Sequence, residues 1–352
     1  MSTPQAAAEK AGAAEQPLPP EMLLTQMAFG PLMAQALYVA AKLGVADLLA
    51  EKPRTVAELA AATETNRHAL YRVLRSLAAA GIFEETDSKV FSLTPLAEPL
   101  LTDAPNSVRN GVIFMGEEWH WRVWGDMLYS VRTGKPAWGR VHGGEVFDYF
   151  AVNPAQAEIF NRAMTDMSVA TAPAVVEAYD FSGIGTIVDI AGGHGYLLSQ
   201  VLKANPAVQG VLFDVQPVID GAGQLLEREG VTDRVEKVAG DFFARVPAAA
   251  DVYMMKHIIH DWDDERAVMI LRNINEAMKR DGRVLLIEIV VPEGNEPHMS
   301  KVMDLEMLAS PGGVERTAKE YRDLLASAGL RLTRIIPTKS PFSIIEAVRD
   351  RS

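Results

Sequence analysis

TIVDIAGGHGY, residues 186–196, predicts a buried β-strand that runs into a glycine-rich turn. The next stretch, YLLSQVLKANP, carries apolar residues at helical spacing and predicts a helix that ends at its Asn-Pro pair. Gly192, Gly193 and Gly195 therefore occupy the connection from strand to helix. Glycines at such a connection let a ligand approach the backbone closely and leave the helix N-terminus free. We expect a ligand site at this turn.

The chain from 181 to 352 repeats this alternation of strand and helix. Apolar runs that predict strands are followed by amphipathic runs that predict helices, and the last two runs predict a hairpin. This pattern is typical of a mostly parallel, doubly wound α/β sheet, in which ligands bind at the carboxyl ends of the strands. The further predicted strands are VQGVLFDV, RVEKVAGDFF, ADVYMMKH and RVLLIEIVV, and LRLTRIIPT and FSIIEAVR form the hairpin.

The chain before this sheet divides into three predicted regions. Residues 1–20 have an Ala/Glu/Pro/Gln composition without an apolar core and predict a disordered tail rather than a signal peptide. Residues 21–105 read as helix, turn, helix and then a small hairpin, the outline of a winged helix. Residues 106–180 predict a mainly helical connector that is rich in large aromatic and methionine side chains. Such side chains pack well on a flat aromatic ligand.

Composition narrows the range of functions. The 352 residues carry a net charge of −12 and no cysteine, so disulfides and thiol catalysis are excluded and a nucleic-acid partner is not expected. No uninterrupted apolar run approaches the roughly 20 residues that span a bilayer. We expect a cytoplasmic protein without a membrane partner. A DNA-binding regulator stays open as an alternative, although the predicted recognition helix RHALYRVLRSLAAAG favours packing or dimerisation.

Acidic residues lie at the ends of three successive predicted strands. Asp189 precedes the glycines, Asp214 ends LFD, and Asp241 with Phe242 ends AGDFF. The turn GGHG lacks the third glycine of a dinucleotide fingerprint, so a pyrophosphate fits poorly. S-adenosylmethionine, which carries a sulfonium and an ammonium, fits better, since Asp189 suits its cationic part and Asp214 its ribose hydroxyls.

In their order along the chain, VDIAGGHG, LFDV, GDFF, KHIIHDWDDE and SPGGVERTAKEY resemble the motifs of small-molecule O-methyltransferases, of the plant caffeate/flavonoid type and their bacterial antibiotic-tailoring relatives. The resemblance covers nearly the whole chain after the tail. It implies a Rossmann-like methyltransferase domain behind a winged-helix-like N-terminal dimerisation domain, and hence a homodimer. His194 departs from the threonine or other small residue that many members have there. The cofactor-binding residues that the resemblance implies are Asp189, Gly192, Gly193, Gly195, Asp214, Asp241, Phe242 and Lys256.

Methyl transfer from S-adenosylmethionine, which leaves S-adenosylhomocysteine, needs an aligned oxygen nucleophile and a base for its proton. His260, just past the fourth predicted strand, is the candidate base and matches the family's base. Proton transfer from a phenol of pKa near 10 to an ordinary imidazole is uphill by roughly 5 kcal/mol, which a nearby sulfonium lowers. The resemblance places Glu288 and Glu315 beside His260. Taken alone, Glu288 could be a solvent-facing strand end and Glu315 an ordinary loop acid.

The acceptor is expected to be a small aromatic molecule, phenolic or polyketide-like. Asp261 is positioned to orient it, and the resemblance implies that Met164 and Met307 sandwich its ring and that Asn161 also contacts it. Transfer to nitrogen, or hydroxylation or decarboxylation of a polyketide by a relative that keeps S-adenosylmethionine, stays open.

A metal hydrolase would use His257, His260 and an acid between Asp261 and Asp264. The H-x-x-H spacing is not that of a helical zinc pair, and the sequence shows no third ligand. We expect no metal, and we expect His257 to be a packed or solvated histidine at the strand end.

Overall fold

The computed structural model describes residues 18–86 and 88–351, so most of the predicted disordered tail lies outside the described residues. The chain separates into two compact units, Met1–Ala97 and Glu98–Ser352. The sequence-based boundary at residue 105 falls a short distance after this division.

The first unit is mainly helical with a small antiparallel sheet. Thr55 and Asn66 cap the two central helices with their side chains. The strand order in the sheet is β1-β3-β2. The elements are helices α1 (Pro20–Lys42), α2 (Val45–Glu51), α3 (Val56–Ala62) and α4 (Arg67–Ala79), and strands β1 (Arg54–Thr55), β2 (Phe83–Glu85) and β3 (Val90–Leu93).

Helix α1 is long and exposes many apolar side chains, among them Leu24 and Leu32, each about two-thirds exposed. By length and composition alone it is the one helix among the described residues that could cross a membrane, which is weak support for a span near an N-terminus. The apolar side chains of its first half are exposed on all sides of the helix, and exposed apolar surface of this kind is typical of protein–protein or membrane contacts.

The second unit begins with a helical layer that carries most of the large aromatic residues. Trp119, Trp138 and Phe150 are buried together with Ala309 in one cluster, so much of the predicted aromatic wall is helix core. The helices are α5 (Arg109–Gly116), α6 (Glu118–Gly125), α7 (Met127–Thr133), α8 (Ala137–His142), α9 (Val146–Val152) and α10 (Pro154–Ala178).

A seven-stranded sheet follows, with the order β6-β5-β4-β7-β8-β10-β9. The first five strands in this order pair in parallel, and β10 inserts antiparallel between β8 and β9. This is the predicted doubly wound α/β sheet with its terminal hairpin. The strands are β4 (Thr186–Ile190), β5 (Gln209–Asp214), β6 (Val235–Ala239), β7 (Val252–Lys256), β8 (Arg283–Glu288), β9 (Leu330–Pro337) and β10 (Ser343–Arg349).

The helices of this unit pack on both faces of the sheet and bury two large apolar clusters. Thr317 and Glu320 form a capping box at the start of the helix Ala318–Ser327. The sequence analysis predicts no helix at Met299–Ala309. These helices are α11 (Tyr196–Ala204), α12 (Gln216–Gly221), α13 (Gly223–Arg228), α14 (Asp264–Ala277), α15 (Met299–Ala309) and α16 (Ala318–Ser327).

Candidate active site

The turn after β4 is shaped by its glycines. A Cβ on Gly192 would lie 2.6 Å from the Asp189 carboxyl group and from Leu212, so only glycine fits there. Gly193 and Gly195 have φ angles of +61° and +84°, which side chains with a Cβ rarely adopt. Gly195 then starts α11. The backbone is therefore open to a ligand at the N-terminus of this helix, as the sequence predicts.

Two carboxylates border this turn. Asp189 is buried in β4, and its Oδ2 atom has no hydrogen-bond partner among the described residues. Burial raises the pKa of Asp189 to about 7, against the lowering effect of the Lys256 charge. Asp214 ends β5 and accepts hydrogen bonds from the backbone N–H groups of Gly193 (2.9 Å) and Val215 (2.7 Å). Burial raises its pKa to about 6.

Lys256 is the last residue of β7, the strand that lies between β4 and β8 in the sheet. Burial lowers its pKa to about 8, although the charges of Glu288 and Asp189 oppose the shift. Asp241 and Phe242 lie just past β6. Asp241 is exposed and accepts a hydrogen bond from the Phe243 N–H (2.8 Å), while the Phe242 ring packs edge-on against Phe243. The predicted cofactor residues thus occupy the carboxyl ends of four neighbouring strands.

His260 lies in a short 3-10 turn, Ile259–Asp261, that follows β7. It is buried, and its Nδ1 atom lies 2.7 Å from Oε1 of Glu315, which is buried as well. The carboxylate therefore holds a proton on Nδ1, and Nε2 is the second proton position of the ring. Nε2 lies 3.4 Å from Oδ1 of Asp261. Glu315 is not an ordinary loop acid, because its side chain is enclosed and paired with the imidazole.

Glu288 ends β8 and is fully buried, so the alternative of a solvent-facing strand end is wrong. It accepts hydrogen bonds from the backbone N–H groups of Ile258 (3.2 Å) and Ile259 (3.0 Å), and not from the His260 ring. Glu288 thus fixes the backbone that presents His260. Burial raises the pKa of Glu288 to about 7 and that of Asp261 to about 6, against the lowering effect of His260 on both.

These three carboxylates determine the proton affinity of His260. Burial alone would lower its pKa, but the negative charges of Asp261, Glu288 and Glu315 outweigh burial and raise the pKa to about 9. The site therefore stabilises an imidazolium.

Arg316, which the sequence analysis did not single out, binds the backbone next to both His260 and Glu315. Its buried guanidinium donates to the carbonyl oxygens of Ile259 (3.2 Å), Trp262 (2.9 Å) and Val314 (3.2 Å). It also forms a hydrogen-bonded ion pair with Asp264. The planar guanidinium with five donors makes such a clamp possible, but nothing in the sequence distinguishes this arginine from a surface one.

The segment from Ser310 to Arg316 lies against the His260 turn. Val314 N–H donates to the His260 carbonyl oxygen (2.8 Å), and a Cβ on Gly313 would lie 1.9 Å from the same oxygen. Asp304 of α15 accepts a hydrogen bond from the Glu315 N–H (2.9 Å). Gly313 thus allows the close approach of this segment to the His260 backbone.

The predicted acceptor residues are connected to His260 less directly than Glu288 and Glu315 are. Met307 is buried on α15, and its carbonyl oxygen accepts from the N–H groups of Gly312 (2.8 Å) and Gly313 (3.1 Å), which places it beside the His260 turn. Asn161 and Met164 lie half-buried on one face of α10. The hydrogen bonds of the described residues do not connect either of them to His260.

His257 is a packed histidine, one of the two states expected for it. Its ring stacks on His260 with centroids 3.9 Å apart, and its backbone has a φ angle of +58°. Ligand atoms of His257, His260 and Glu315 lie within 4.8 Å of one another. The expectation that no third metal ligand is present is therefore wrong on geometry, because Glu315 supplies one.

The cleft fits S-adenosylmethionine. The buried Asp189 oxygen without a partner suits a cationic group, the glycine turn admits the backbone approach, and Asp214 at the next strand end suits ribose. Fold and cleft together define a Rossmann-like, S-adenosylmethionine-dependent methyltransferase.

Comparison with known proteins gives the family. The model of the O-methyltransferase domain matches residues 124–331, and that of the O-methyltransferase dimerisation domain matches residues 25–103. The chain is 45% identical over 330 residues to a phenazine O-methyltransferase, PhzM, of Lysobacter antibioticus, covering 94% of this chain and 96% of that one. This chain belongs to the O-methyltransferase family, and its cofactor is S-adenosylmethionine.

Two solved structures are similar over almost their whole length. The crystal structure of LaPhzM aligns with a TM-score of 0.91 at 45% identity, covering 94% of this chain and 100% of that one. The methyltransferase CalO1 of calicheamicin biosynthesis, solved with S-adenosylhomocysteine bound, aligns with a TM-score of 0.81 at 40% identity, covering 94% and 98%.

Proposed function

We propose that this enzyme methylates a hydroxyl group of a small, flat aromatic acceptor and that His260 is the general base. The observation that carries the proposal is the buried contact of 2.7 Å between Nδ1 of His260 and Glu315, which leaves Nε2 free to take a proton. The acceptor class rests on the phenazine named for the relative at 45% identity.

The raised pKa of His260 brings its proton affinity closer to that of a phenol. With a pKa of about 9, His260 is only about one unit below a phenol of pKa near 10. Proton transfer from the phenol to the neutral ring is then uphill by about 1.4 kcal/mol instead of roughly 5 kcal/mol for an ordinary imidazole, but keeping His260 neutral at pH 7 costs about 2.7 kcal/mol. The net gain at pH 7 is therefore under about 1 kcal/mol, and the rate should rise as the pH approaches the pKa of His260. The proton passes to Nε2, and Glu315 stabilises the resulting imidazolium through Nδ1.

S-adenosylmethionine supplies an electrophilic methyl group on a sulfonium. We propose that the glycine turn and Asp189 hold its amino acid part, Asp214 its ribose, and Asp241 with Phe242 its adenine, with Lys256 reaching it from β7. Positive charge in this cleft lowers the pKa of His260 and that of the phenol together, so their small difference is retained. Asp261, Met307, Met164 and Asn161 are proposed to contact the acceptor.

We also propose that the protein is a cytoplasmic homodimer in which the exposed apolar face of α1 is covered by a second copy. The match of residues 25–103 to a dimerisation domain supports this proposal, as does the exposure of Leu24 and Leu32. A nucleic-acid partner is not expected, since the net charge is −12. A membrane partner is not expected either, because a second copy covers the apolar surface of α1.

A screen of aromatic acceptors with methyl-labelled S-adenosylmethionine and mass spectrometry of the products tests the function. The expected result is label on a phenolic oxygen, with the rate unchanged when a chelator is present throughout. Label on nitrogen would support N-methylation, and an acceptor changed without label would support hydroxylation or decarboxylation. Either outcome contradicts the proposal, as does activity that needs zinc bound by His257, His260 and Glu315.

A further inference from the structure

A second buried charged cluster lies outside the proposed catalytic pair. Glu306 of α15 is 7% exposed, and its two carboxylate oxygens face different partners from α6. Oε1 lies 2.9 Å from Nε2 of His120, which is fully buried, and Oε2 accepts a hydrogen bond from Nε1 of Trp124 (2.5 Å). The mechanism above uses none of these three side chains.

The hydrogen-bond partners hold the His120 ring in place. Nδ1 of His120 faces the carbonyl oxygen of Met115 at 3.3 Å, and Nε2 faces Oε1 of Glu306 at 2.9 Å, so both ring nitrogens face oxygen atoms. His120 and the Trp124 N–H together orient the Glu306 carboxyl group.

Glu306 lies next to the reaction centre. It precedes Met307, whose carbonyl oxygen binds the Gly312–Gly313 backbone that lies against His260. The charge of Glu306 is also one of the influences that raise the pKa of Asp261, after burial and the opposing charge of His260. Asp261 in turn lies 3.4 Å from the free nitrogen of His260.

A buried carboxylate is costly for a fold that could use apolar residues in its place. The neighbours on this face of the helical layer are apolar and aromatic, with Phe114 at 4.5 Å from the His120 ring and 5.6 Å from Phe160. Each carboxylate oxygen of Glu306 accepts one described hydrogen bond and can accept a second. The carboxyl group thus keeps capacity for further hydrogen bonds among apolar and aromatic neighbours.

We propose that Glu306, oriented by His120 and Trp124, is a specificity residue that binds a second hydrogen-bond donor, a hydroxyl or amino group, on the aromatic acceptor. This inference rests on the proposed aromatic O-methylation. A donor group of the acceptor would form a charge-assisted hydrogen bond with the Glu306 carboxylate. An analogue without this donor would leave the carboxylate partly unsatisfied. The expected discrimination is about tenfold or more.

Binding to the full-length enzyme loaded with S-adenosylhomocysteine tests this inference without requiring turnover. The probes are 2-naphthol and the 2,3-, 2,6- and 2,7-dihydroxynaphthalenes, which add one hydroxyl at different distances. We expect at least one diol to bind about tenfold more tightly than 2-naphthol by calorimetry. In Glu306→Gln and Glu306→Leu this ratio should fall to about threefold or less, with affinity for 2-naphthol and S-adenosylhomocysteine retained.

Glu118→Gln is the matched control, because Glu118 is an exposed acid on α6 and its loss removes the same charge. It should keep the preference for the diol. A ratio near one in the unmodified enzyme, or an unchanged ratio in both Glu306 variants, would overturn the inference. Equal loss of affinity for all four probes would show that Glu306 only supports the fold. If the proposed function fails instead, turnover is absent while the binding preference persists.

Discussion

His260 lies among three carboxylates that act on it in different ways. Glu315 contacts its Nδ1 atom, Asp261 lies beside its Nε2 atom, and Glu288 binds the backbone N–H groups that precede it. All three raise its pKa, but only Glu315 also fixes which nitrogen carries the proton. Loss of Glu315 should therefore change both the pH dependence and the maximal rate.

Glu315→Gln keeps the shape of the side chain and removes its charge. A base is active when deprotonated, so the rate rises as the pH approaches the pKa of His260 from below. Because the Glu315 charge raises that pKa, its removal should move the rising limb of kcat/KM to lower pH. The plateau should fall about tenfold or more, since the imidazolium is less stabilised.

The pH profile of kcat/KM for the acceptor, with saturating cofactor, measures both effects. Glu293→Gln is the control, because it removes one exposed carboxylate from the same unit. Glu293→Gln should leave both the pH of the rising limb and the plateau of kcat/KM unchanged. A limb that stays in place in Glu315→Gln would show that His260 is not the titrating base.

At the scale of elements, α15 and the segment after it position the His260–Glu315 pair. Gly313 lies so close to the His260 turn that a Cβ would overlap the His260 carbonyl oxygen and the Asp261 backbone, at 1.9 Å and 2.4 Å. Backbone atoms cannot rotate away as a flexible side chain can. Gly313→Ala should therefore displace the segment that carries Glu315.

We expect Gly313→Ala to lose about 100-fold in kcat, as misplacement of catalytic groups by about 1 Å does, while cofactor affinity is retained. Gly111→Ala in α5 is the control, because a Cβ there meets nothing within 4 Å. Steady-state kinetics and calorimetry with S-adenosylmethionine distinguish the two variants. Normal kcat in Gly313→Ala would mean that the segment is not held against His260 in the working enzyme.

The elements also show what the sequence could predict. Apolar periodicity predicted the strands and the ligand edge of the sheet, because buried parallel strands and glycine turns have strong local patterns. Helix α15 was missed, since its exposed face carries Met299, Val302 and Leu305 and its apolar residues show no clear amphipathic pattern. The roles of Arg316 and Glu306 depend on partners more than 50 residues away in the chain, which no local pattern reveals.

At the scale of the whole molecule, the exposed apolar face of α1 predicts association. Replacing Leu24 and Leu32 together with glutamate puts charge on that face. We expect a shift from dimer to monomer in light scattering coupled to size exclusion, because unpaired charge in an apolar interface is costly. The matched double replacement of Leu128 and Val131 in α7 with glutamate, at exposed apolar residues outside the dimerisation domain, should remain dimeric. A mass unchanged in the double variant would contradict dimerisation through α1.

The most direct test of the account is methyl transfer by His260→Ala. With an acceptor found in the labelled screen, we expect kcat to fall by about 10² to 10⁴, the usual contribution of a general base. Calorimetry should show unchanged affinity for S-adenosylmethionine, because His260 is not one of the proposed cofactor residues. Undiminished turnover in a variant that still binds the cofactor would contradict the central claim that His260 takes the proton.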